Sequence, residues 1–230
     1  MERKFQFEID EYYHLYNRGT NKMLIFSDIL DKERFIKLLF VCNNTKPVIF
    51  RTIQKKALDK IDSGETLVDI GLYCLMPNHF HLLVREKVEN GISLFVEKIA
   101  TAYSMYFNKK NERTGGLFEG TFKATHANED NYLKYLFAYI HLNPVKLIDS
   151  DWKEKGVSDI KKAKHFLEKY KYSSYLDYID IKRPENLILN KSAFPEYFTN
   201  SQDFNDFIED WLSYGDENQP IQNYPRTVLG

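Results

Sequence analysis

Apolar residues recur along this chain with two different periods, and each period predicts a different kind of element. From Val68 to Met76 every second residue is apolar, which indicates a β-strand. After a turn signal at residues 77–78, a second strand is predicted over 79–85, so the two form a hairpin. Another strand is predicted over 12–16, ahead of the turn signal Asn-Arg-Gly at 17–19.

Helical spacing marks the intervening segments. A helix is predicted after Ser27, which can cap it, because apolar residues over 35–42 share one face. A longer amphipathic helix is predicted over 92–106, and another over 129–142, ended by Pro144 because proline disfavours helical geometry in the preceding residue. Further elements are a strand over 117–125 and helices near 160–170 and 204–211, whereas residues 48–66 are ambiguous.

The order strand, helix, strand hairpin, helix, strand, helix predicts an α+β fold. Helices would pack on an antiparallel, ferredoxin-like sheet. We expect residues 1–150 to form this domain and residues 151–230 to form a C-terminal extension that is mostly helical or irregular.

Composition and charge narrow the class of protein. No apolar run approaches the roughly 18 residues of a membrane span, no signal segment follows the N-terminus, and Cys42 and Cys74 lie in apolar stretches. We therefore expect buried reduced thiols and a cytoplasmic protein.

The net charge of −1 argues against a protein that binds nucleic acid over a uniformly basic surface. The body is nevertheless mildly basic, because the end of the chain concentrates carboxylates at Asp203, Asp206, Glu209, Asp210, Asp216 and Glu217 against Arg226.

The clearest chemical signal is His79-Phe80-His81 in the second hairpin strand. Because side chains alternate across a sheet, His79 and His81 face one side and Phe80 the other. Two neutral imidazoles side by side can hold a divalent metal ion. Two surface histidines on a half-exposed strand would show the same spacing, so the motif alone leaves both interpretations open.

A third ligand and a nucleophile can come from the helix before Pro144. Tyr139 and Asn143 lie four residues apart and hence on one face. Asn143 can offer a carbonyl oxygen to magnesium or manganese, and Tyr139 can offer a phenolate that a nearby metal stabilises. A core tyrosine and a helix-ending asparagine would give the same spacing.

Four segments, in order, resemble the single-tyrosine HUH transposases, especially their REP-associated branch. They are residues 13–19 (YHLYNRG), 76–84 (MPNHFHLLV), 116–123 (GLFEGTFK) and 139–144 (YIHLNP). The resemblance covers about residues 10 to 150, and four ordered motifs make it far more specific than His-x-His alone.

The resemblance implies that His79, His81 and Asn143 hold a divalent metal, Mg²⁺ or Mn²⁺. It implies that Tyr139 attacks a phosphodiester, keeps the 5′ phosphate as phosphotyrosine and releases a 3′ hydroxyl, so that the 3′ hydroxyl of another strand can reverse the step. The implied substrate is single-stranded or hairpin DNA, bound by a monomer or a homodimer.

Several assignments stay open. Thr121 stands where the family pattern has arginine, which leaves Lys123 as the better phosphate anchor. The candidate DNA-binding residues are Arg18, Lys109, Lys110, Arg113 and Lys123. The alternative third ligands are His126 and His141, and the alternative nucleophiles are Tyr103 and Tyr106.

The main hypothesis is therefore a transposase-like, metal-assisted endonuclease and strand transferase acting on single-stranded DNA at hairpin-associated sites. One alternative is a domesticated or non-catalytic protein that binds DNA hairpins. Another is a metal-dependent phosphodiesterase that uses water, with Tyr139 in a structural role.

Overall fold

The computed structural model describes residues 6–47, 49–62 and 64–213. Its strands are β1 (Tyr12–Arg18), β2 (Val68–Met76), β3 (His79–Glu86) and β4 (Lys123–His126). Its α-helices are α1 (Ile29–Val41), α2 (Phe50–Ile53), α3 (Gly91–Lys110), α4 (Asp130–Leu142), α5 (Trp152–Lys155), α6 (Ile160–Leu167), α7 (Tyr175–Tyr178) and α8 (Ser201–Ser213). Short 3-10 helices cover Thr20–Lys22, Leu58–Lys60, Asn143–Leu147, Pro184–Ile188 and Lys191–Ala193.

The strands form one antiparallel sheet in the order β2-β3-β1-β4. Helices α1 and α3 cover one face through a large apolar cluster, and α4 covers the other face through a second cluster. The predicted α+β fold with helices packed on an antiparallel, ferredoxin-like sheet is confirmed.

The β2–β3 hairpin determines toward which face of the sheet the side chains of β3 point. Met76 pairs with His79 and Cys74 pairs with His81 across the turn at residues 77–78. Phe80 joins the α1/α3 cluster, which leaves the two histidines on the α4 side, as the alternation predicts.

The start of α1 differs from the prediction. Its cap is Asp28, not Ser27: the Asp28 carboxylate accepts from the Asp31 backbone NH, and the Asp31 carboxylate accepts from the Asp28 backbone NH. This reciprocal capping box satisfies more helix-terminal donors than one serine hydroxyl can.

The last strand is shorter than the predicted 117–125, because β4 includes only residues 123–126. Gly120 adopts a positive φ of 68°, and Phe118 makes only an isolated bridge to Gly19. The segment ahead of β4 is therefore a loop. Helix α6 likewise ends at Leu167 rather than at the predicted residue 170.

Residues after 150 cover the outer edge of β2. The backbone NH of Leu75 donates to the Tyr172 carbonyl and the NH of Ser174 donates to the Tyr73 carbonyl, both at 2.9 Å, and the NH of Asn190 donates to the Ile70 carbonyl at 2.9 Å. An edge strand with unpaired backbone groups invites wrong pairing, so these bonds protect the sheet.

Side chains reinforce this contact. Phe194 is buried, and a Cβ atom built on Gly71 would lie 2.8 Å from its ring, so the absence of a side chain at Gly71 makes room for the phenyl group.

The predicted acidic helix is confirmed as α8, whereas Asp216, Glu217 and Arg226 lie outside the described residues. Among the helices that the structure describes, none combines the length and apolar character needed to cross a membrane.

We predict that Phe194→Ala lowers the free energy of unfolding by about 3–5 kcal/mol, because it leaves a cavity between the extension and the sheet. Urea unfolding measures the change. Ile181→Ala, at a side chain that is 49% exposed, is the control and should change stability by less than about 0.5 kcal/mol. Equal stability of the two variants would show that the extension does not stabilise the sheet.

Candidate active site

The two histidines of the HUH motif lie at the start of β3, next to each other on the α4 face. Their ring centroids are 5.1 Å apart, and both side chains are buried. The Nδ1 atom of His79 lies 2.7 Å from the Asn78 side-chain oxygen. If Nδ1 carries the proton, Asn78 accepts it and Nε2 of His79 keeps its lone pair.

His14 is a third buried histidine in this group, and the sequence reasoning missed it. Its Nε2 lies 2.9 Å from Nδ1 of His81. Within the described part of the chain, Nε2 of His81 and Nδ1 of His14 have no hydrogen-bond partner. The alternation of residues 12–16 was the available signal, since it puts His14 on the same face as Tyr16, which pairs with His81.

Burial keeps these rings neutral. Desolvation, together with the smaller effects of the positive charges of Lys146, Lys153 and Arg18, lowers the pKa of His79 to about 4. Desolvation also lowers the pKa of His81 well below its usual value. Since a neutral imidazole offers a lone pair and a protonated one does not, both residues are in the form that binds metal at neutral pH.

Helix α4 brings Tyr139 to the histidines. Its ring centroid lies 5.4 Å from that of His81 and 5.7 Å from that of His14. Burial raises the pKa of Tyr139 to about 12, with smaller increases from Tyr16 and Cys74, and a hydrogen bond from the Asn143 side chain opposes this rise. The phenol is therefore protonated at neutral pH.

Asn143 follows α4 directly and is buried. Its side-chain NH₂ donates to the Tyr139 carbonyl at 2.7 Å. This bond does not involve the side-chain oxygen, the atom predicted as a ligand. Pro144 occupies the next position, in the first turn of the following 3-10 helix, so the chain changes helix type right at Asn143.

The donor set fits a metal ion that is held partly by amide or phenol oxygen. Over the described ranges, no group of three or more His, Cys, Asp or Glu side chains could hold a metal ion. Oxygen ligands from Asn143 and Tyr139 would have to complete the pair of imidazoles. The buried, partnerless Nε2 of His81 fits this arrangement, because an unsatisfied buried nitrogen is costly unless something binds it.

The alternative third ligands lie elsewhere. His126 pairs with Tyr13 on the opposite sheet face, and its Nε2 lies 2.8 Å from a Glu11 carboxylate oxygen. His141 points away from the sheet histidines, with Nε2 2.7 Å from the Ser174 hydroxyl.

The alternative nucleophiles belong to α3, behind the sheet. Tyr103 is fully buried and donates to the Ile25 carbonyl. Tyr106 donates to the Asp31 carboxylate at 3.0 Å. Both hydroxyls have structural partners on the face opposite His79 and His81.

The predicted DNA-binding residues fall into two groups. Arg18 pairs with His79 across the strands and Lys123 pairs with Tyr16, so both lie on the histidine face. Arg18 forms an ion pair with Glu119. The other three lie at or just after the C-terminal end of α3: Lys109, Lys110 and Arg113.

Lys110 has a structural role in that second group. Its ammonium lies 2.6 Å from carboxylate oxygens of Asp28 and Asp31, so it joins the end of α3 to the start of α1. Arg113 donates to the Gly116 carbonyl at 3.3 Å.

Two lysines near the histidines were missed. Lys146 and Lys153 both act electrostatically on His79. Lys146 lies in the 3-10 helix that follows α4, so the α-helical spacing that relates Tyr139 to Asn143 does not extend to it. Lys153 gives no signal in the sequence either, because tertiary packing brings α5 to α4.

Residues 33–143 match the family model described as "Transposase IS200 like". This match confirms, over residues 33–143, the resemblance predicted from the motifs.

A solved structure of a REP-associated tyrosine transposase bound to a REP hairpin is similar to this chain. The TM-score is 0.49 and the identity 10%, over 87% of this chain and 92% of that chain. No curated protein matches the sequence significantly.

Proposed function

We propose that this protein is a transposase-like endonuclease and strand transferase for single-stranded DNA, acting at hairpin-associated sites through a 5′-phosphotyrosine at Tyr139. The observation that supports this most is the placement of the Tyr139 ring 5.4 Å from the His81 ring, beside a buried imidazole nitrogen that has no partner among the described residues.

His79, His81 and Asn143 would hold the divalent cation, Mg²⁺ or Mn²⁺. When bound, such a cation polarises a phosphate oxygen and stabilises a phenolate. The chain orients the two imidazole rings. Asn78 contacts Nδ1 of His79 and His14 contacts Nδ1 of His81, so the Nε2 atoms of His79 and His81 point away from these partners.

Tyr139 supplies the nucleophile. Its hydroxyl oxygen loses a proton and forms a bond to phosphorus, while the bond from phosphorus to the 3′ oxygen breaks and that oxygen takes up a proton. One phosphodiester replaces another, so a 3′ hydroxyl can reverse the step without a nucleotide cofactor. The half-buried position of Tyr139 restricts water and favours strand transfer over hydrolysis.

The substrate follows from access and charge. A single strand can reach the nucleophile without duplex opening, and basic and aromatic groups hold such strands. Arg18 and Lys123, on the histidine face, are the predicted DNA contacts nearest to this chemistry. Lys109, Lys110 and Arg113 would meet DNA only where it extends past the end of α3.

The geometry favours catalysis over the alternatives. A protein that only binds hairpins has no need to bury an imidazole nitrogen without a partner, which destabilises the fold. A phosphodiesterase that uses water has no need of a phenol beside the histidines.

We predict that Tyr139→Phe abolishes cleavage of single-stranded DNA and the covalent adduct, because it removes the attacking oxygen and keeps the ring. The measurement is a denaturant-resistant adduct on a radiolabelled oligonucleotide pool, followed by peptide mapping. Tyr135→Phe, one turn earlier on α4, is the matched control and should retain both activities. An adduct formed by Tyr139→Phe would reject the residue assignment, and cleavage by the wild-type protein without any adduct would reject the mechanism.

A second prediction concerns the metal. Cleavage should stop with chelator and return with Mg²⁺ or Mn²⁺, and His79→Ala or His81→Ala should slow it at least about 100-fold, the upper end of losses from outer-shell changes. DNA affinity should change far less. His126→Ala, on the opposite sheet face, is the control. Full cleavage by either motif variant would remove the metal hypothesis.

A third prediction concerns His14 as the group that orients His81. His14→Leu should weaken Mn²⁺ binding about 10–100-fold, measured by calorimetry without DNA. His14→Gln should retain most of the affinity, because the glutamine amide can accept from Nδ1 of His81 at nearly the same position. Equal Mn²⁺ affinity of His14→Leu and the wild-type protein would show that this contact only fills the core.

A further inference from the structure

Lys153 lies against the proposed nucleophile although it is outside the segment that matches the transposase family. Its ammonium nitrogen is 4.3 Å from the centroid of the Tyr139 ring. It belongs to α5, ten residues beyond the end of the family match at residue 143. A residue of the C-terminal extension thus contacts the reactive side chain.

The charged side chains that lower the pKa of His79 are all positive. Lys146, Lys153 and Arg18 are the charged groups that most affect His79, and Lys153 also acts on His81. Arg18 is engaged with Glu119, and Lys146 is exposed. Of the three, only Lys153 is described in contact with the Tyr139 ring. A positive region next to two neutral imidazoles suits an anionic ligand.

We propose that Lys153 is a catalytic residue that binds the phosphate attacked by Tyr139. This proposal rests on the function proposed above and assigns it one more residue. A lysine ammonium is a compact charge on a flexible four-carbon stem, so it can move from the ring face to a non-bridging phosphate oxygen within the same site. There it would stabilise the negative charge that develops during transfer.

Lys155 provides a matched control. It lies two residues further on the same short helix and carries the same charge, but it is ion-paired with Asp151 at 2.8 Å and is largely exposed. Removing Lys155 therefore changes the net charge by the same amount as removing Lys153.

The first experiment measures binding, in the full-length Tyr139→Phe background so that no cleavage interferes. The probe is a fluorescent single-stranded oligonucleotide pool of randomised sequence. Lys153→Ala should reduce the slope of log K against log salt by about 0.7, the value for one phosphate contact on a single strand. Lys155→Ala should leave the slope unchanged, and Lys153→Arg should preserve it.

The second experiment measures the rate of adduct formation with the same pool and Tyr139 intact. Lys153→Ala should be slower by on the order of 100-fold, as for loss of one stabilising donor, and Lys155→Ala should match the wild-type protein. Lys153→Met keeps the apolar stem without the charge and should be as slow as Lys153→Ala, so a packing defect in the alanine variant cannot mimic the result.

The outcomes separate the two proposals. If the wild-type protein forms an adduct and Lys153→Met forms it equally fast, the Lys153 assignment is wrong and the proposed function stands. A reduced salt slope with an unchanged rate would place the Lys153 contact at another phosphate and also overturn the assignment. If the wild-type protein forms no adduct with any metal, the proposed function fails and the Lys153 assignment fails with it.

Discussion

The rest of the site depends on which face of the sheet each side chain of β3 occupies. Phe80 packs into the α1/α3 core while His79 and His81 face α4, and a shift of one residue in strand pairing would exchange these faces. The tight turn at residues 77–78 and the pairing of Met76 with His79 prevent such a shift. The apolar core thus determines where the imidazoles lie, because moving them would take Phe80 out of the α1/α3 cluster and put imidazoles into it.

The position of Tyr139 depends on the contacts that hold helix α4 in place. Helix α4 packs on β2 and β3 through Leu136 and Ile140, and on its other side Ala138 and Leu142 contact the C-terminal helices. Those helices belong to a segment that also satisfies backbone groups along the edge of β2. The position of Tyr139 relative to His81 therefore depends on contacts made by residues well beyond the family-like segment.

Local patterns predicted most of the fold and part of the site. Alternation and helical spacing identified the hairpin, the long helices and the shared face of His79 and His81, because these follow from neighbours in sequence. The cap at Asp28 was missed because Ser27 and Asp28 are adjacent and both residue types cap helices well, so only the reciprocal bonds with Asp31 decide between them. His14 and Lys153 were missed for a different reason. Alternation gives the face of His14 within its own strand, but the contact of His14 with His81 and that of Lys153 with Tyr139 join segments far apart in sequence.

The electrostatics of the site explain why these distant residues matter. Burial raises the pKa of Tyr139 to about 12, so the isolated helix and histidine strand would hold an almost entirely protonated, unreactive phenol at neutral pH. Positive charge must be added next to the phenol oxygen and the phosphate to favour attack, and buried neutral imidazoles cannot add it by themselves. They can only hold a cation, whereas the lysines that follow α4 bring charge directly. In the proposed reaction, the same charges would attract the phosphodiester anion on Tyr139 and would keep it in place until a 3′ hydroxyl arrives. In the proposed function, the buried pair of histidines and the cations Lys146 and Lys153, which act on it electrostatically, would therefore be complementary parts of one site.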